Sequence, residues 1–344
     1  MSERQIRFGV VGSGHIGKRH AAMIQNHSQA ALTGMVDINS GLESAISQEF
    51  GVPFFTDVAA LLQAHPDTDV VSICTPNNLH AQLAIQALDA GCHVVVEKPM
   101  ALAKIDAEEV IYKSLQASRL VFCVMQNRYS PPSVWLKEML SSGRLGQIFH
   151  VQVNCFWNRD DRYYKKGGWK GTADQDGGTL FTQFSHFVDI MFWLFGDIKN
   201  IQARFYDFNH QTTTAFEDSG FVSFEFAKGG SGTINFSTAV WDKNLESSIT
   251  IIAENGSIKV GGQYMNEVEY CHVKDYTMPE LAPSNPPNDY GPYKGSAANH
   301  HFVIENVVDT LLGKTVATTN ALEGLKVVEI IEKIYSFKGD WVRK

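Results

Sequence analysis

The side chain best suited to proton chemistry is Lys98, in the run Val94-Val95-Val96-Glu97-Lys98-Pro99. Three β-branched residues in succession predict a strand buried on both faces of a parallel sheet, and the strand stops at a carboxylate, an amine and a proline. Open α/β sheets bind their ligands beyond the carboxyl ends of the strands. A lysine at the rim of such a crevice loses basicity through desolvation and can exchange a proton near neutral pH. As a surface residue, the same lysine would only open a turn and pair with Glu97.

A second group sits on an apolar segment, Thr179 to Phe195, which follows Asp176-Gly177-Gly178 and reads as one helix. Thr182, His186 and Asp189 fall four and three residues apart, hence on one helical face. Phe181, Phe184, Val188, Phe192 and Phe195 supply the packing surface. The polar stripe is either a satisfied core network or the lining of a cleft.

A third pattern is a glycine turn. The strand Ile6 to Val11 runs into Gly12-Ser13-Gly14-His15-Ile16-Gly17, and a helix follows. In a strand–G-x-G-x-x-G–helix unit the first glycine permits the turn and the second lets backbone approach a pyrophosphate. The third lets the helix pack on the sheet, and the helix N-terminus offers N–H donors to phosphate. A second strand, Ala31 to Val36, ends in Asp37 at the spacing of a ribose-binding carboxylate. With no arginine beside it, Asp37 favours NAD over NADP, unless it merely caps the next helix.

The elements that position these groups alternate. Short strands at Val52 to Phe55, Val70 to Cys74 and Leu120 to Met125, with helices between, predict an α/β doubly wound parallel sheet over residues 1–125. Pro76 forces an extended exit after Cys74, which turns Thr75 and Asn77 toward the crevice. From 126 to 344 the pattern changes to alternating strands at Gln147 to Trp157, Ile198 to Tyr206, Gly220 to Phe226, Gly232 to Phe236, Ser247 to Ile252 and Gly256 to Val260. Few helices separate them, so this half is an α+β domain with an open, mostly antiparallel sheet that leaves one face free. Met278 to Lys294 reads as a long loop able to fold over a ligand. His300 and His301 are adjacent and point apart, which disfavours a shared metal; none is expected. Ala321 to Phe337 reads as a closing helix packed toward the first domain.

With 44% hydrophobic residues, 19% charged residues and a net charge of -8, the chain is an ordinary globular protein with no nucleic-acid groove. The short polar stretch Met1 to Gln5 and the glycines at 9 and 12 lead us to expect no secretory signal, and no apolar run is long enough for a bilayer. The five cysteines form neither a disulfide framework nor a C-x-x-C metal pattern, which suits a cytoplasmic protein with reduced thiols.

Taken together, Gly12-x-Gly14-x-x-Gly17, Cys74-Thr75-Pro76-Asn77-x-x-His80, Glu97-Lys98-Pro99 and Gly177-Gly178-Thr179-Leu180 leading to His186-x-x-Asp189 resemble the glucose–fructose oxidoreductase/inositol dehydrogenase/MocA family along essentially the whole chain. The resemblance implies an N-terminal Rossmann domain, a C-terminal domain that builds homodimers or homotetramers, and hydride transfer between a sugar carbinol and NAD. It puts the cofactor on Gly12, Gly14, His15, Ile16, Gly17, Asp37, Thr75, Pro76, Asn77, His80, Glu97, Lys98 and Gln126. Lys98 and His186 fall on catalytic positions. The expected substrate residues are Lys98, Asn127, Arg128, Arg159, Trp169, Lys170, Thr182 and His186.

Thr182 stands where many members carry an aspartate. A hydroxyl there is similar to the branch that oxidises the 3-hydroxyl of UDP-N-acetylglucosaminuronate for surface-polysaccharide synthesis. Gly168-Trp169-Lys170-Gly171-Thr172 and Ala297-Ala298-Asn299-His300-His301 resemble that branch too. Arg159, Arg162, Lys165, Lys166 and Lys170, interleaved with Trp157, Tyr163, Tyr164 and Trp169, suit a diphosphate, a carboxylate and a uracil ring. The remaining readings are a free sugar or inositol dehydrogenase, NAD-assisted glycoside cleavage, and a catalytically silent sensor.

Overall fold

The computed structural model describes residues 4–339. In chain order the elements are β1 (Ile6–Val11), α1 (His15–Asn26), β2 (Ala30–Val36), α2 (Glu43–Phe50), β3 (Phe54–Phe55), α3 (Val58–Ala64), β4 (Val70–Ile73), α4 (His80–Asp89), β5 (His93–Val96), α5 (Lys104–Ala117) and β6 (Val121–Cys123). Then come α6 (Pro131–Ser141), β7 (Ile148–Phe156), α7 (Thr179–Thr182), α8 (Ser185–Phe195), β8 (Ile198–Tyr206), β9 (Ser219–Phe226), β10 (Ser231–Ser237), β11 (Glu246–Ala253), β12 (Gly256–Gly261), β13 (Glu267–Val273), β14 (Pro287–Asp289), β15 (Lys294–Ala297), α9 (His300–Leu311) and α10 (Ala321–Tyr335).

These elements form two compact units. One holds residues 1–125 and 300–328, and the other residues 126–299 and 329–344. The first unit contains a six-stranded sheet in the order β3-β2-β1-β4-β5-β6, and every strand pair in it is parallel. Chain direction across the sheet reverses between β1 and β4, the switch point at which such sheets bind nucleotides. β4 and β5 are almost wholly apolar and buried on both faces, the pattern of central parallel strands covered by helices on each side. Asp57 caps α3 by accepting from Ala60 N at 2.8 Å. Gly51 and Gly91 take left-handed conformations beyond α2 and α4. The segment 300–328 completes this unit. Thr319 Oγ1 donates to Cys123 O at the end of β6 at 2.5 Å, and Cys123 N donates to Thr319 O at 3.1 Å.

The second unit has a seven-stranded sheet in the order β13-β12-β11-β7-β10-β9-β8. It is antiparallel except for the pair of β7 with β10. Val151, Val153 and Cys155 of β7 face the core, while Gln152 and Asn154 occupy the other face with Thr250 of β11 and Asn235 of β10. Two details differ from the sequence reading. β13 carries charge at Glu267 and Glu269 and lacks a clean alternation, which hides it as a strand. The long loop contains a short hairpin, β14 with β15.

Candidate active site

In the first unit the glycine turn is closed by backbone sterics. Gly12 has φ of 92°, and a Cβ there would lie 2.5 Å from Cys74 O. A Cβ on Gly17 would lie 1.7 Å from Gly12 O, so only glycine lets α1 approach the turn. Gly14 is the opposite case. Nothing lies within 4 Å of its would-be Cβ, which leaves open space at the start of α1. Asp37 is not a helix cap in the simple sense. Its Oδ2 accepts from Ser13 N at 2.8 Å, and its Oδ1 accepts from Asn39 N at 3.0 Å. Asn39 caps the following 3-10 turn. Asp37 therefore ties the end of β2 to the glycine turn. The cradle, the open N-terminus of α1 and this carboxylate fit a dinucleotide without adjustment.

The exits of β4 and β5 are joined by His80. Its Nδ1 lies 2.7 Å from Pro99 O and its Nε2 3.0 Å from Thr75 O. Burial lowers its basicity, against those two carbonyls. His80 thereby bridges the exits of β4 and β5.

Glu97, at the exit of β5, is buried. Its carboxylate turns inward, 3.1 Å from His20 Nε2 and 3.7 Å from His300 Nε2, and it is 7% exposed. Burial opposes the charge, but His20, His300 and Lys98 outweigh it and hold the carboxyl at about 2. Burial likewise opposes charge on His20, and Cys74 and Glu97 overcome it, raising the imidazole to about 10. His20 Nδ1 lies 2.8 Å from Ser72 Oγ. Burial drives His300 down to about 3, so it is neutral. Lys98, the next residue after Glu97, is partly exposed. The sequence marked His300 only through its motif and offered no signal for His20 beyond its type; the contact of either with Glu97 was hidden because that partner lies far away in the chain.

In the second unit the expected single helix is two. α7 ends at Thr182, and α8 begins at Ser185 after Phe184 leaves helical geometry with φ of -114° and ψ of 5°. The break ends the strict helical register between Thr182 and His186. Thr182 Oγ1 donates to Asp176, both to the backbone carbonyl at 3.0 Å and to the carboxylate. His186 belongs to another network. Gln126 Nε2 lies 3.2 Å from His186 Nε2 and donates to Ser296 Oγ at 3.0 Å.

Around this network several buried polar atoms have no hydrogen-bond partner: Gln126 Oε1, both amide atoms of Asn127, and Ser185 Oγ. Buried amides and hydroxyls are normally satisfied, so such a set marks where a polar ligand would bind. Arg128 does not belong to it. Its guanidinium forms a two-point ion pair with Asp189, both side chains being out of water, and it stacks on Trp193.

Arg159 is also buried, at 2% exposure. It donates to Gln183 Oε1, Asn158 O, Asn244 Oδ1 and Lys294 O, and it lies over the rings of Trp157, Tyr163 and Tyr293. Lys170 packs over Tyr163 with Nζ 4.0 Å from the ring centroid and donates to Tyr293 Oη at 3.0 Å. Burial and then the neighbouring Arg159 bring its ammonium down to about 8. Trp169 is partly exposed beside it. Arg162 is instead an exposed partner of Asp160 and Asp242.

Among the described residues, Asp207, His210 and Asp218 have metal-ligand proximity. Yet His210 Nδ1 is held by Asp218 and Nε2 by Arg159 O, so the imidazole has no lone pair to offer. The four cysteines other than Cys271 are buried, and all five are free thiols. No described helix is long and apolar enough to cross a membrane.

Residues 6–124 match the oxidoreductase family with an NAD-binding Rossmann fold, and residues 134–259 match the GFO/IDH/MocA C-terminal domain. The chain belongs to the Gfo/Idh/MocA oxidoreductases. It is an NAD-binding enzyme of that family, and its parallel sheet is the Rossmann domain. Among curated relatives, D-glucoside 3-dehydrogenase of Escherichia coli is 27% identical over 67% of this chain and 69% of its own. Among solved structures, the WlbA dehydrogenase of Chromobacterium violaceum, in complex with NADH and UDP-GlcNAcA, is 31% identical with a TM-score of 0.87, covering 99% of this chain and 96% of that one. The WlbA dehydrogenase of Bordetella pertussis, in complex with the same two ligands, is 31% identical with a TM-score of 0.85, covering 98% of each chain.

Proposed function

We propose that this protein oxidises the 3-hydroxyl of a UDP-sugar uronate, UDP-N-acetylglucosaminuronate, with NAD, as a step in surface-polysaccharide synthesis. The observation that carries this reading is the likeness, over almost the full chain, to two dehydrogenases whose structures hold NADH together with UDP-GlcNAcA. Carbon 3 is supported separately, since two curated relatives are named as 3-dehydrogenases of glucosides and of glucose-6-phosphate.

In this reading Lys98 takes the proton of the hydroxyl as the C–H bond breaks. NAD, when bound, supplies the hydride acceptor. Asp37 and the glycine turn hold the adenosine and pyrophosphate. Asn127 and Gln126 hold sugar hydroxyls, which would satisfy the amide atoms that lack partners. His186, whose Nε2 accepts from Gln126, fixes that amide. Lys170 faces the anionic part of the substrate, while Arg159, too deeply buried for direct contact, organises the aromatic wall that Lys170 packs on. Orientation and general-base catalysis are worth several kcal/mol each in such a site.

The test is the position of the new carbonyl. Carbon-13 spectra of the product of UDP-N-acetylglucosaminuronate with NAD should show a ketone at C3. A ketone at C4, or no ketone, contradicts the reading. Homodimer or homotetramer formation belongs to the same proposal, with the free face of the seven-stranded sheet as the interface.

A further inference from the structure

We propose that His20 and His300 are positioning residues for Lys98. His20 holds the Glu97 carboxylate inside the first unit and His300 packs beside it, so that the next residue of the chain is presented outward at the end of β5. The inference rests on the role of Lys98 proposed above and names the device that sets it.

The geometry is local. Consecutive residues leaving a strand alternate in direction, so a fixed inward Glu97 fixes an outward Lys98. Glu97 Oε1 is 3.1 Å from His20 Nε2 and 3.7 Å from His300 Nε2, and Oε2 accepts from the Lys98 backbone N–H at 3.3 Å. The two imidazoles meet edge to face, with centroids 5.9 Å apart. His20 is itself braced by Ser72 Oγ on β4.

The charged and titratable groups around the carboxylate come from every neighbouring element. They are His20 and Arg19 on α1, Cys74 at the exit of β4, His80 at the start of α4, Lys98 itself and His300 on α9. His20 lies on the same helix that begins at the phosphate cradle. The His20–Glu97 contact therefore ties the cofactor-binding helix to the strand end that carries the base.

A simpler alternative is that the cluster only fills space. Two facts argue otherwise. A His–Glu–His group is a costly way to fill a core, since each charge must be desolvated. Moreover, His300 Nδ1 is buried with no hydrogen-bond partner, a cost that packing alone does not require.

The consequence for Lys98 has a definite sign. Removing the His20 charge leaves the Glu97 carboxylate uncompensated beside the lysine, and a nearby negative charge favours the ammonium form. The direct test needs no substrate. NAD-loaded wild type, His20→Leu, His20→Gln and Lys98→Ala are labelled with trace acetic anhydride across pH, and acetylation at residue 98 is read by peptide mass spectrometry.

His20→Leu should slow labelling of Lys98 at pH 8 at least 3-fold relative to surface lysines. His20→Gln keeps an N–H donor for Glu97 but not the positive charge, so it should slow labelling less than His20→Leu does without restoring the wild-type rate. Turnover of UDP-N-acetylglucosaminuronate should fall 10- to 100-fold in kcat for His20→Leu, with KM and NAD affinity within 3-fold. Unchanged Lys98 labelling in a folded His20→Leu protein overturns the proposal, as does parallel loss of NAD affinity and kcat. Full activity in Lys98→Ala overturns the reading it rests on instead, and the two failures are read from different variants. If His20→Leu does not fold, Ser72→Ala, which removes only the brace, must show the same labelling shift in smaller measure, or the proposal fails.

Discussion

Arg128 and Asp189 close a two-point ion pair, Nε to Oδ2 at 2.9 Å and Nη2 to Oδ1 at 2.6 Å, with both side chains sealed from water. Asp189 ends the polar stripe that the helix spacing suggested as a cleft lining, and Arg128 was the cation expected on substrate. In the folded protein each charge offsets the other. The pair links the 3-10 turn at Gln126–Tyr129, which carries Asn127, to α8, which carries His186.

Breaking that pair should be costly. Asp189→Ala leaves a buried guanidinium uncompensated and should destabilise the protein by about 3–5 kcal/mol. Replacing both partners with apolar residues of similar volume should cost much less, because no lone charge remains. Urea unfolding of the two variants checks the difference. Equal losses would mean that the pair is not the interaction holding the turn to α8.

The two glycines of the cofactor turn should separate fold from binding. Gly17→Ala forces a Cβ onto Gly12 O and should abolish NAD binding together with native stability. At Gly14 there is open space and φ is -73°, so Gly14→Ala should change stability by less than about 1 kcal/mol. It should nonetheless weaken NAD at least 10-fold, because the methyl group occupies room that a pyrophosphate needs. Calorimetric titration beside thermal melts checks both.

Much of this was legible in the sequence, for physical reasons that differ by region. The parallel sheet announces itself because Val94-Val95-Val96 and Val70 to Ile73 are too apolar to be anything but central strands, and the glycines mark the turn where backbone must touch backbone. The networks were not legible. His20 meets Glu97 across 77 residues of chain, and Arg128 meets Asp189 across 61. Periodicity reports which face a residue takes, not which partner it finds there. The break between α7 and α8 was hidden for a related reason, since the apolar pattern continues through Phe184 while the backbone does not.

The buried cluster predicts how stability depends on pH. Glu97 is lowered from 4.5 to about 2, so its contribution is present above pH 4.5 and lost as pH falls toward 2. His20 is raised from 6.5 to about 10, so its contribution is full below pH 6.5 and lost as pH rises toward 10. His300 is lowered from 6.5 to about 3, so protonation of the unfolded chain removes stability progressively below pH 6.5. The cluster is therefore most stabilising near pH 6.5. His300→Asn should lose the part of the acid slope between pH 6.5 and 3, and so gain on wild type at pH 5 relative to pH 7. Chemical denaturation at the two pH values measures it, and an unchanged slope would contradict the assignment of His300 as neutral.

Tyr335 is predicted to matter through the start of α7. Its hydroxyl donates to the fully buried Glu217 at 2.6 Å and accepts from Leu180 N at 2.9 Å, while Lys338 holds the other Glu217 oxygen. A Cβ on Gly178 would sit 2.5 Å from the Tyr335 hydroxyl, which accounts for glycine there. Tyr335→Phe leaves the Leu180 N–H without its acceptor and should cost about 1–3 kcal/mol. Hydrogen exchange at Leu180 should rise by a factor matching the loss measured in denaturant.

The central claim is oxidation of a UDP-sugar uronate, and the most direct measurement is absorbance at the reduced-nicotinamide band. Oxidised NAD and purified protein would be mixed with UDP-N-acetylglucosaminuronate, UDP-N-acetylglucosamine or myo-inositol in parallel. The expected result is a rise with the uronate alone, lost in Lys98→Ala. A rise with myo-inositol and none with the uronate would contradict the claim, while leaving the family and its cofactor in place.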